Sequence, residues 1–433
     1  MRQLLFVLPV FLLMGCNPVK SVKDVFTKLT PYERYVKNLE TANLHERPMV
    51  KQWIAAGDRA MRDSVMVILP ITETGQFLSH DPEARAYRFE ARDGQVLSVN
   101  GTTTATGDTH VFADLFILKN NEWKHLSSAD STLSLSYEFN RDATCMLRVQ
   151  PELLVNAYYS ITISLTPVLI NPVSGASNKS IQSFYGDSRD GGKRLHEGVD
   201  IFAKKGTPVV APTDGVVTRT GNTRLGGKVV WMFDRKRQHS YYFAHLDSQY
   251  VSGGEVVQQG DTLGVVGNTG NARYTPPHLH FGIYQSRSKN PIHYIQTLEA
   301  IVDASPLDTT FQVNTFRVAG KKPVLKSGPG SRNQDIQKLA PETFVRVVAQ
   351  SGDWYRVSLA DRSEGYVLKK DVVPAQTGKV LVLDRIVKLR LEPDADSVVI
   401  DYLNAQSVVE VLALHGSQQY IKTAQGTEGW IIL

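Results

Sequence analysis

The sequence predicts a mostly β protein made of several domains in series. Short alternating apolar and polar runs, separated by Gly, Asn and Asp turns, fill residues 65–167. The C-terminal part contains an internal repeat with an offset of 64 residues, and each copy consists of short strand-like runs. Between them lies a β-prone segment rich in histidine. A chain of 433 residues, 42% of them hydrophobic, is long enough for several cores.

The N-terminal segment has the features of a secretory signal. Arg2 precedes an apolar run at residues 4–13, which is too short to span a membrane, and Leu-Met-Gly-Cys follows at residues 13–16. This ending resembles the lipobox of bacterial lipoproteins, in which the cysteine is acylated and becomes the new N-terminus. The resemblance implies a signal peptide over residues 1–15 and a membrane lipid anchor at Cys16. The alternative is an ordinary signal peptide that contains a cysteine by chance.

The location and the partners follow in part from these features. Asn17 stands where an aspartate retains some lipoproteins at the inner membrane, which favours the outer membrane, facing the periplasm. Cys145 then has no partner, so an exported chain without an intrachain disulfide must rely on packed cores. A net charge of +5 suits an anionic envelope polymer but does not select one. No zinc-finger spacing, basic helix or aromatic-basic motif indicates nucleic acid.

Two segments precede the histidine-rich one. Residues 16–64 are polar and contain two periodic stretches, so we expect a tether with two short helices. Residues 65–168 contain YRFEA, QVLSV, HVFADLFIL, CMLRVQP and YYSITISL, a pattern typical of a β-sandwich. The stretch AYRFEARDGQVLSVNG weakly resembles the jelly-roll domains that accompany secreted bacterial peptidases. We assign this domain no chemistry.

The internal repeat occupies residues 310–375 and 379–433. LKSGPGS in the first copy and LRLEPDA in the second are 64 residues apart, and the same offset relates SEGYVL to TEGWII. Both copies resemble bacterial SH3-like β-barrels, which often bind peptidoglycan, and this resemblance implies Trp354 and Tyr366 as candidate wall-binding residues. In the second copy Gln418 replaces Trp354, which weakens the prediction of binding there. The alternative is that both repeats are spacers or packing modules.

The first chemical motif of the central segment is RLHEGVDIF. Its context is extended, because Gly198 breaks a helix and the branched residues around it favour strand. Residues i and i+4 of a strand share a face, so His196 and Asp200 can converge on one ion. Glu197 then points away and is structural, and a catalytic role for it is the alternative.

The second motif, TPPHLHFGIY, places His278 and His280 on one face of a strand. Two histidines and a carboxylate match the ligands of a catalytic zinc ion with an open fourth position. A further histidine, His245 in YYFAHLD, lies in a strand, where alternation places Tyr241 and Phe243 on its face. A neutral imidazole beside a metal site can accept a proton, and a hydrogen-bonded core histidine is the alternative.

Together, HEGVD, FAHLD and HLHF, with GTPVVAPTDGVV and VVQQGDTLGVVGNTG between them, resemble the LytM and lysostaphin-like zinc metallopeptidases over residues 186–284. The resemblance implies a compact antiparallel β domain, here residues 169–305, with its site in a groove. It also implies endopeptidase cleavage of peptide bridges in bacterial cell wall. The resemblance implies that His196, Asp200 and His280 bind one Zn²⁺ ion and that His245 and His278 are the catalytic pair.

The implied reaction is zinc-assisted hydrolysis, in which the two catalytic histidines orient and deprotonate water, stabilise the oxyanion and protonate the leaving amine. Which histidine performs which step stays open. Two residues depart from the family pattern, Phe243 in place of a frequent tyrosine and Gly282 in place of a frequent acid. His239 and His293 match no motif position and are expected to be structural or solvent-facing.

Two other function classes remain open at this point. One is a non-catalytic or shielded adaptor that activates other cell-wall hydrolases, with the flanking β domains regulating the site within the chain. The other is a wall-binding lipoprotein in which the repeats provide the function. Neither requires an activity that is sensitive to chelators.

Overall fold

A computed structural model describes residues 29–62, 65–105, 110–129, 133–297, 308–309, 311–320 and 323–433. The predicted signal peptide and Cys16 lie outside these residues. The chain divides into two compact units, Met1–Arg47 and Pro48–Leu433. Among the described residues, no helix is both long and apolar enough to cross a membrane.

The first unit contains helix α1, Pro31–Thr41. Thr30 caps it: the Thr30 side chain accepts a hydrogen bond from the Glu33 amide at 3.1 Å, and the Glu33 carboxylate accepts one from the Thr30 amide at 2.9 Å. This reciprocal pair is a capping box, which satisfies amide groups that a helix start leaves without partners.

The second unit begins with helix α2, Pro48–Arg62, which packs on the sandwich described next. Trp53 is buried, and its indole nitrogen donates to the Pro151 carbonyl at 2.8 Å. The Gln150 amide donates in return to the Trp53 carbonyl at 2.8 Å. This helix therefore belongs to a packed domain, whereas the sequence predicted that it is part of a tether.

The sandwich consists of two facing sheets. Alternation along its strands buries one side of each sheet in a shared core that includes Tyr87, Leu97, Leu147 and Ile163. Its strands are β1 Val65–Met66, β2 Ile71–Phe77, β3 Arg85–Ala91, β4 Gln95–Thr103, β5 Val111–Lys119, β6 Glu122–Ser128, β7 Ser134–Glu138, β8 Ala143–Pro151 and β9 Ala157–Pro167. One sheet has the order β1-β3-β8-β5-β6, and the other contains β2-β9-β4-β7.

The central domain is built on an eight-stranded sheet with the order β10-β13-β21-β17-β16-β15-β19, in which β22 also pairs with β21. Strands β14-β20-β18 form a small second sheet, and β11 pairs with β12. The elements are β10 Ile181–Ser183, β11 Ser188–Arg189, β12 Arg194–Leu195, β13 Val199–Phe202, β14 Pro208–Val210, β15 Gly215–Thr223, β16 Gly227–Asp234, β17 His239–Leu246, β18 Ser248–Gln249, β19 Val256–Val257, β20 Thr262–Val265, β21 His278–Tyr284, β22 Ser288–Lys289 and helix α3 Ile292–Ile295.

Each face of this sheet has a different role. Register pairs Val199 with Phe281 and Tyr241 with Ile283, and these residues pack into the core of the domain. Neighbouring residues on the same strands, which include Asp200 and His280, point to the opposite face. The hydrophobic core thus lies on one side of the sheet, and Asp200 and His280 lie on the other.

Polar contacts between side chains hold the central domain on the sandwich. The Tyr294 hydroxyl donates to Asp93 at 2.7 Å, and the Lys289 ammonium lies 2.6 Å from the same carboxylate. Arg237 donates to Glu138 at 2.6 Å. All three contacts use the ends of strands or the short helix α3.

The two repeats have the same order of strands, displaced by 64 residues. The first comprises β23 Asn314–Val318, β24 Val324–Lys326, β25 Asp335–Lys338, β26 Phe344–Ser351, β27 Trp354–Ser358, β28 Glu364–Leu368 and β29 Val372–Pro374. The second comprises β30 Lys379–Val382, β31 Val387–Arg390, β32 Val399–Leu403, β33 Val408–His415, β34 Gln418–Thr423 and β35 Glu428–Ile432. Pairing among the described strands leaves both sheets open, so no closed barrel is formed within the described residues of the two SH3-like repeats.

The first repeat is joined to the sandwich through a continuous sheet and a buried carboxylate. Strand β26 pairs with β2, with Gly75 opposite Ala349. The buried Glu73 carboxylate accepts hydrogen bonds from Tyr87, Tyr159 and Tyr366 at 2.5–2.8 Å. Burial, followed by the charge of Glu73, raises the pKa of Tyr366 well above its ordinary value. The repeat and the sandwich therefore share one core.

This packing corrects the prediction that Tyr366 binds cell wall. Its side chain has no exposed surface, because it fills the junction between repeat and sandwich. Trp354 is half-buried and packs against the same core. In the second repeat Trp430, at the position equivalent to Tyr366, is buried against Phe344 of the first repeat, with ring centroids 4.9 Å apart. Each repeat thus uses this position to pack on the module before it.

Candidate metal centre

Three predicted ligands meet on the polar face of the central sheet. Asp200 on β13 lies opposite His280 on β21, and His196 lies in the short segment between β12 and β13. The His196 Nε2 atom is 3.0 Å from Asp200 Oδ1 and 2.9 Å from His280 Nδ1. The third side of this triangle, His280 Nδ1 to Asp200 Oδ1, measures 3.1 Å.

The triangle fits a tetrahedral metal ion. Zinc bonds of about 2.0–2.1 Å to nitrogen and oxygen place neighbouring ligand atoms about 3.3 Å apart. The observed separations of 2.9–3.1 Å are close to this value. Two imidazoles and one carboxylate are donors that zinc accepts, and three protein ligands leave a fourth position for water or substrate. The residues present therefore fit a catalytic zinc ion.

Further groups fix the orientation of the ligands. His196 Nδ1 lies 2.9 Å from the Phe184 carbonyl, a contact in which Nδ1–H donates and Nε2 is left for the metal. Arg189 donates to Asp200 Oδ2 at 2.9 Å, which leaves Oδ1 as the oxygen nearest the two histidines. Arg189 also donates to the Ser183 hydroxyl, which anchors it to β10.

His245 reaches the site through a β-bulge. Opposite Val229 on β16, strand β17 has two residues, Ala244 and His245, and His245 adopts a left-handed backbone with φ of 64°. The ring of His245 lies 5.0 Å from that of His278 and 6.0 Å from that of His280. Regular alternation predicted His245 on the same face as Tyr241 and Phe243, which the structure shows to be the core face. The bulge instead brings it to the face of the metal ligands.

His245 and His278 have the same hydrogen-bond arrangement. His245 Nδ1 is 3.0 Å from the Thr269 carbonyl, and His278 Nδ1 is 2.9 Å from the Pro276 carbonyl. Because a carbonyl only accepts, each Nδ1 carries the proton and each neutral ring has Nε2 as its acceptor atom. His278 Nε2 lies 4.0 Å from Asp200 Oδ1. Each of the two rings can therefore accept or donate a proton at Nε2 beside the ligand triangle.

Residues 194–292 match the profile of Peptidase family M23, and residues 324–373 match the profile of the Bacterial SH3 domain. The chain contains an M23 peptidase domain. The L-Ala--D-Glu endopeptidase of Bacillus subtilis is 37% identical over 126 residues, which are 27% of this chain and 38% of that protein. The glycyl-glycine endopeptidase ALE-1 of Staphylococcus capitis is 38% identical over 195 residues, 43% of this chain and 50% of that protein.

Among solved structures, the catalytic domain of lysostaphin from Staphylococcus simulans is 31% identical, with a TM-score of 0.24. The match covers 26% of this chain and 87% of that domain. The chain spans half or less of the lengths of the two curated relatives above. The similarity is therefore to one part of each of these proteins.

The electrostatics of the M23 domain suit the two predicted roles. Burial opposes ionisation of Asp200, but the neighbouring imidazoles of His196 and His280 outweigh it and hold the pKa of the carboxyl well below its ordinary value. Burial, followed by the nearby charges of His278 and His280, lowers the pKa of His245 to about 4. Asp200 is thus a carboxylate, and His245 is a neutral base, at physiological pH.

Three other polar residues of the domain lie apart from the five site residues. Glu197 is exposed and lies outside the ligand triangle. His239 is buried with its ring 5.6 Å from that of Tyr294, and His293 is on α3, close to the sandwich. Sequence reasoning missed Arg189, because SRDGG contains no spacing signal that links it to Asp200. Only the folded chain brings them together.

Proposed function

We propose that the protein is a zinc-dependent endopeptidase that hydrolyses peptide crosslinks or bridges of bacterial peptidoglycan during cell-wall remodelling. The observation that carries the proposal is the triangle of His196, Asp200 and His280 with His245 and His278 beside it. The printed names of both curated relatives describe endopeptidases, which supports peptide-bond hydrolysis. Their names specify different bonds, so the proposal covers the class of bond.

One Zn²⁺ ion, held by His196, Asp200 and His280, would polarise the scissile carbonyl and lower the pKa of water toward neutrality. His245 and His278 accept the proton of the attacking water at Nε2, because their Nδ1–H groups are already engaged. A protonated imidazole then stabilises the oxyanion and returns the proton to the leaving amine. The oxygen of water ends in the new carboxylate, one water proton passes through the imidazole to the leaving amine, and the second reaches the amine as the new carboxyl group ionises, so the products are a carboxylate and an ammonium.

The proposal includes a location in the cell envelope, with a lipid anchor at Cys16 and the outer membrane as the anchoring membrane. The printed names of both curated relatives indicate that they cleave peptide bonds, and the matched SH3 domain supports a wall-associated protein. The buried position of Tyr366 favours packing as the role of the first repeat. An adaptor without activity is less favoured, because all five chemical groups are present at one site.

Digestion of purified peptidoglycan by the mature protein tests the proposal. We expect the wild type to release peptide fragments, detected by mass spectrometry, and chelation or His280→Ala to stop the release. Arg235→Gln is the matched control, because Arg235 is exposed in the turn between β16 and β17, at the opposite end of this hairpin from His245. Release that continues unchanged in His280→Ala would contradict the proposed site. A wild type that binds zinc without turnover would support the adaptor.

A further inference from the structure

Next to the metal centre, the polar face of the central sheet continues into a cluster of aromatic side chains. Register pairs Tyr242 on β17 with Gly282 on β21, and Trp231 on β16 with Tyr242. Paired residues share a face, so Trp231, Tyr242 and Tyr284 lie on the side of the sheet that carries His280. All three aromatic residues are half-buried. We call them the aromatic shelf.

The shelf is continuous with the site. The Tyr242 ring lies 5.8 Å from the His280 ring, and the Trp231 ring lies 4.5 Å from Tyr242 and 5.4 Å from Tyr284. An extended peptide advances about 3.3 Å per residue. A substrate whose scissile bond is at the metal centre therefore has its neighbouring residues within reach of the shelf.

Gly282 lets Tyr284 fold back toward the site. A Cβ atom at Gly282 would lie 2.8 Å from Tyr284 Cε2 and 3.1 Å from the Glu197 carbonyl oxygen, so a side chain there would displace the ring. The Tyr284 hydroxyl lies 3.4 Å from the same carbonyl oxygen. Because residue 282 is a glycine, the Tyr284 ring can occupy space that a side chain at this position would fill.

A cation lies at the far edge of the shelf. Arg219 on β15 pairs in register with Trp231, and its guanidinium carbon is 5.7 Å from the Trp231 ring centre. Arg219 is exposed and forms no ion pair with any of the residues that the structure describes. Such a group can pair with an anion on a ligand while the aromatic rings contact its apolar part.

We propose that Trp231, Tyr242, Tyr284 and Arg219 form a substrate subsite for a peptide that carries a free carboxylate a few residues from the scissile bond. The stem peptides of peptidoglycan have this chemistry, since they combine alanine methyl groups with the free carboxylates of acidic and diamino acids. This inference rests on the proposed function and adds a preference for substrates whose carboxylate is not amidated. The aromatic rings contact the apolar part of the peptide, and Arg219 pairs with its free carboxylate.

Kinetics on two soluble crosslinked muropeptides, one with free and one with amidated carboxylates, test the subsite. For Arg219→Gln we expect KM to rise about fivefold on the free-carboxylate substrate, with kcat and the amidated substrate little changed, because an exposed ion pair is lost. For Trp231→Ala we expect KM to rise about tenfold on both substrates. Arg235→Gln, an exposed arginine in the same domain, is the control and leaves both values unchanged.

A binding measurement separates the subsite from catalysis. In His278→Ala, which should retain the shelf without turnover, addition of the free-carboxylate muropeptide should quench tryptophan fluorescence. The added substitution Trp231→Phe should remove this quench. Unchanged KM in both Arg219→Gln and Trp231→Ala, or a quench that survives Trp231→Phe, would overturn the subsite. If the wild type does not cleave, the proposed function fails, and the quench still decides whether the shelf binds the peptide.

Discussion

Asp200 and His280 lie opposite each other on antiparallel strands, with Oδ1 and Nδ1 3.1 Å apart. His278, two residues before His280, lies on the same face, but its Nδ1 donates to the Pro276 carbonyl. Strand geometry separates same-face neighbours by about 6.6 Å, so under the proposed function His280 would hold the metal and His278 would lie beside it. This division of roles predicts different results for the two substitutions.

His280→Ala should lose zinc, whereas His278→Ala should keep zinc and lose turnover by about 100-fold or more, the typical contribution of a general acid–base group. Zinc content by mass spectrometry of the folded protein, together with muropeptide release, checks both results. Circular dichroism of each variant shows that the fold is retained. Zinc loss in His278→Ala at the level seen for His280→Ala would contradict the assignment.

Arg189→Ala should weaken zinc binding about 10–100-fold, the usual effect of removing a group that orients a ligand. The reason is that Arg189 holds Asp200 Oδ2 and leaves Oδ1 for the metal. Arg189→Lys should recover part of the affinity, because an ammonium keeps the charge but not the planar fork. Competition with a chromophoric chelator measures this affinity without any substrate, and Arg235→Ala is the control. Equal affinity in Arg189→Ala and wild type would refute the role.

Glu73→Ala should destabilise the protein by about 3–5 kcal/mol, because it leaves three buried tyrosine hydroxyls without their shared acceptor, while Arg356 keeps Glu364 as an ionic partner. Urea unfolding followed by circular dichroism measures the change, and Glu73→Gln should cost less because it keeps an acceptor oxygen. A loss below about 1 kcal/mol for Glu73→Ala would show that the junction between sandwich and first repeat does not depend on this carboxylate.

Stability should fall as the pH drops below about 6.5, in part because of His239. Burial, followed by the charge of Lys289, lowers the pKa of His239, whose Nδ1 has no hydrogen-bond partner among the described residues. The unfolded chain therefore takes up this proton at a higher pH than the folded chain, so acidification favours unfolding. The contribution is at most about 1.4 kcal/mol per pH unit.

His239→Gln should make the dependence shallower between pH 6.5 and 5. Urea midpoints of the wild type and the variant at pH 7.5, 6.5 and 5.5 provide the comparison. Parallel pH curves would mean that His239 does not contribute. Because His239 lies away from the ligand triangle, zinc content should be the same in both proteins.

The alternation of side chains along a strand is a local property, so the sequence alone placed His278 and His280 on one face, whereas His196 approaches Asp200 from the irregular segment between β12 and β13. The mostly β class and the 64-residue repeat follow from local patterns for the same reason. The family motifs HEGVD, FAHLD and HLHF identified the peptidase segment that the profile match bears out.

Only the tertiary structure decided the features that depend on a partner segment. The bulge that brings His245 to the site requires β16 beside β17, and Arg189 meets Asp200 only after an irregular segment folds over β13. Tyr366 matches a wall-binding pattern, but the sandwich covers it. Register, bulges and the packing of one module on another are set by contacts between segments that are distant in sequence. The local pattern of one segment does not reveal them.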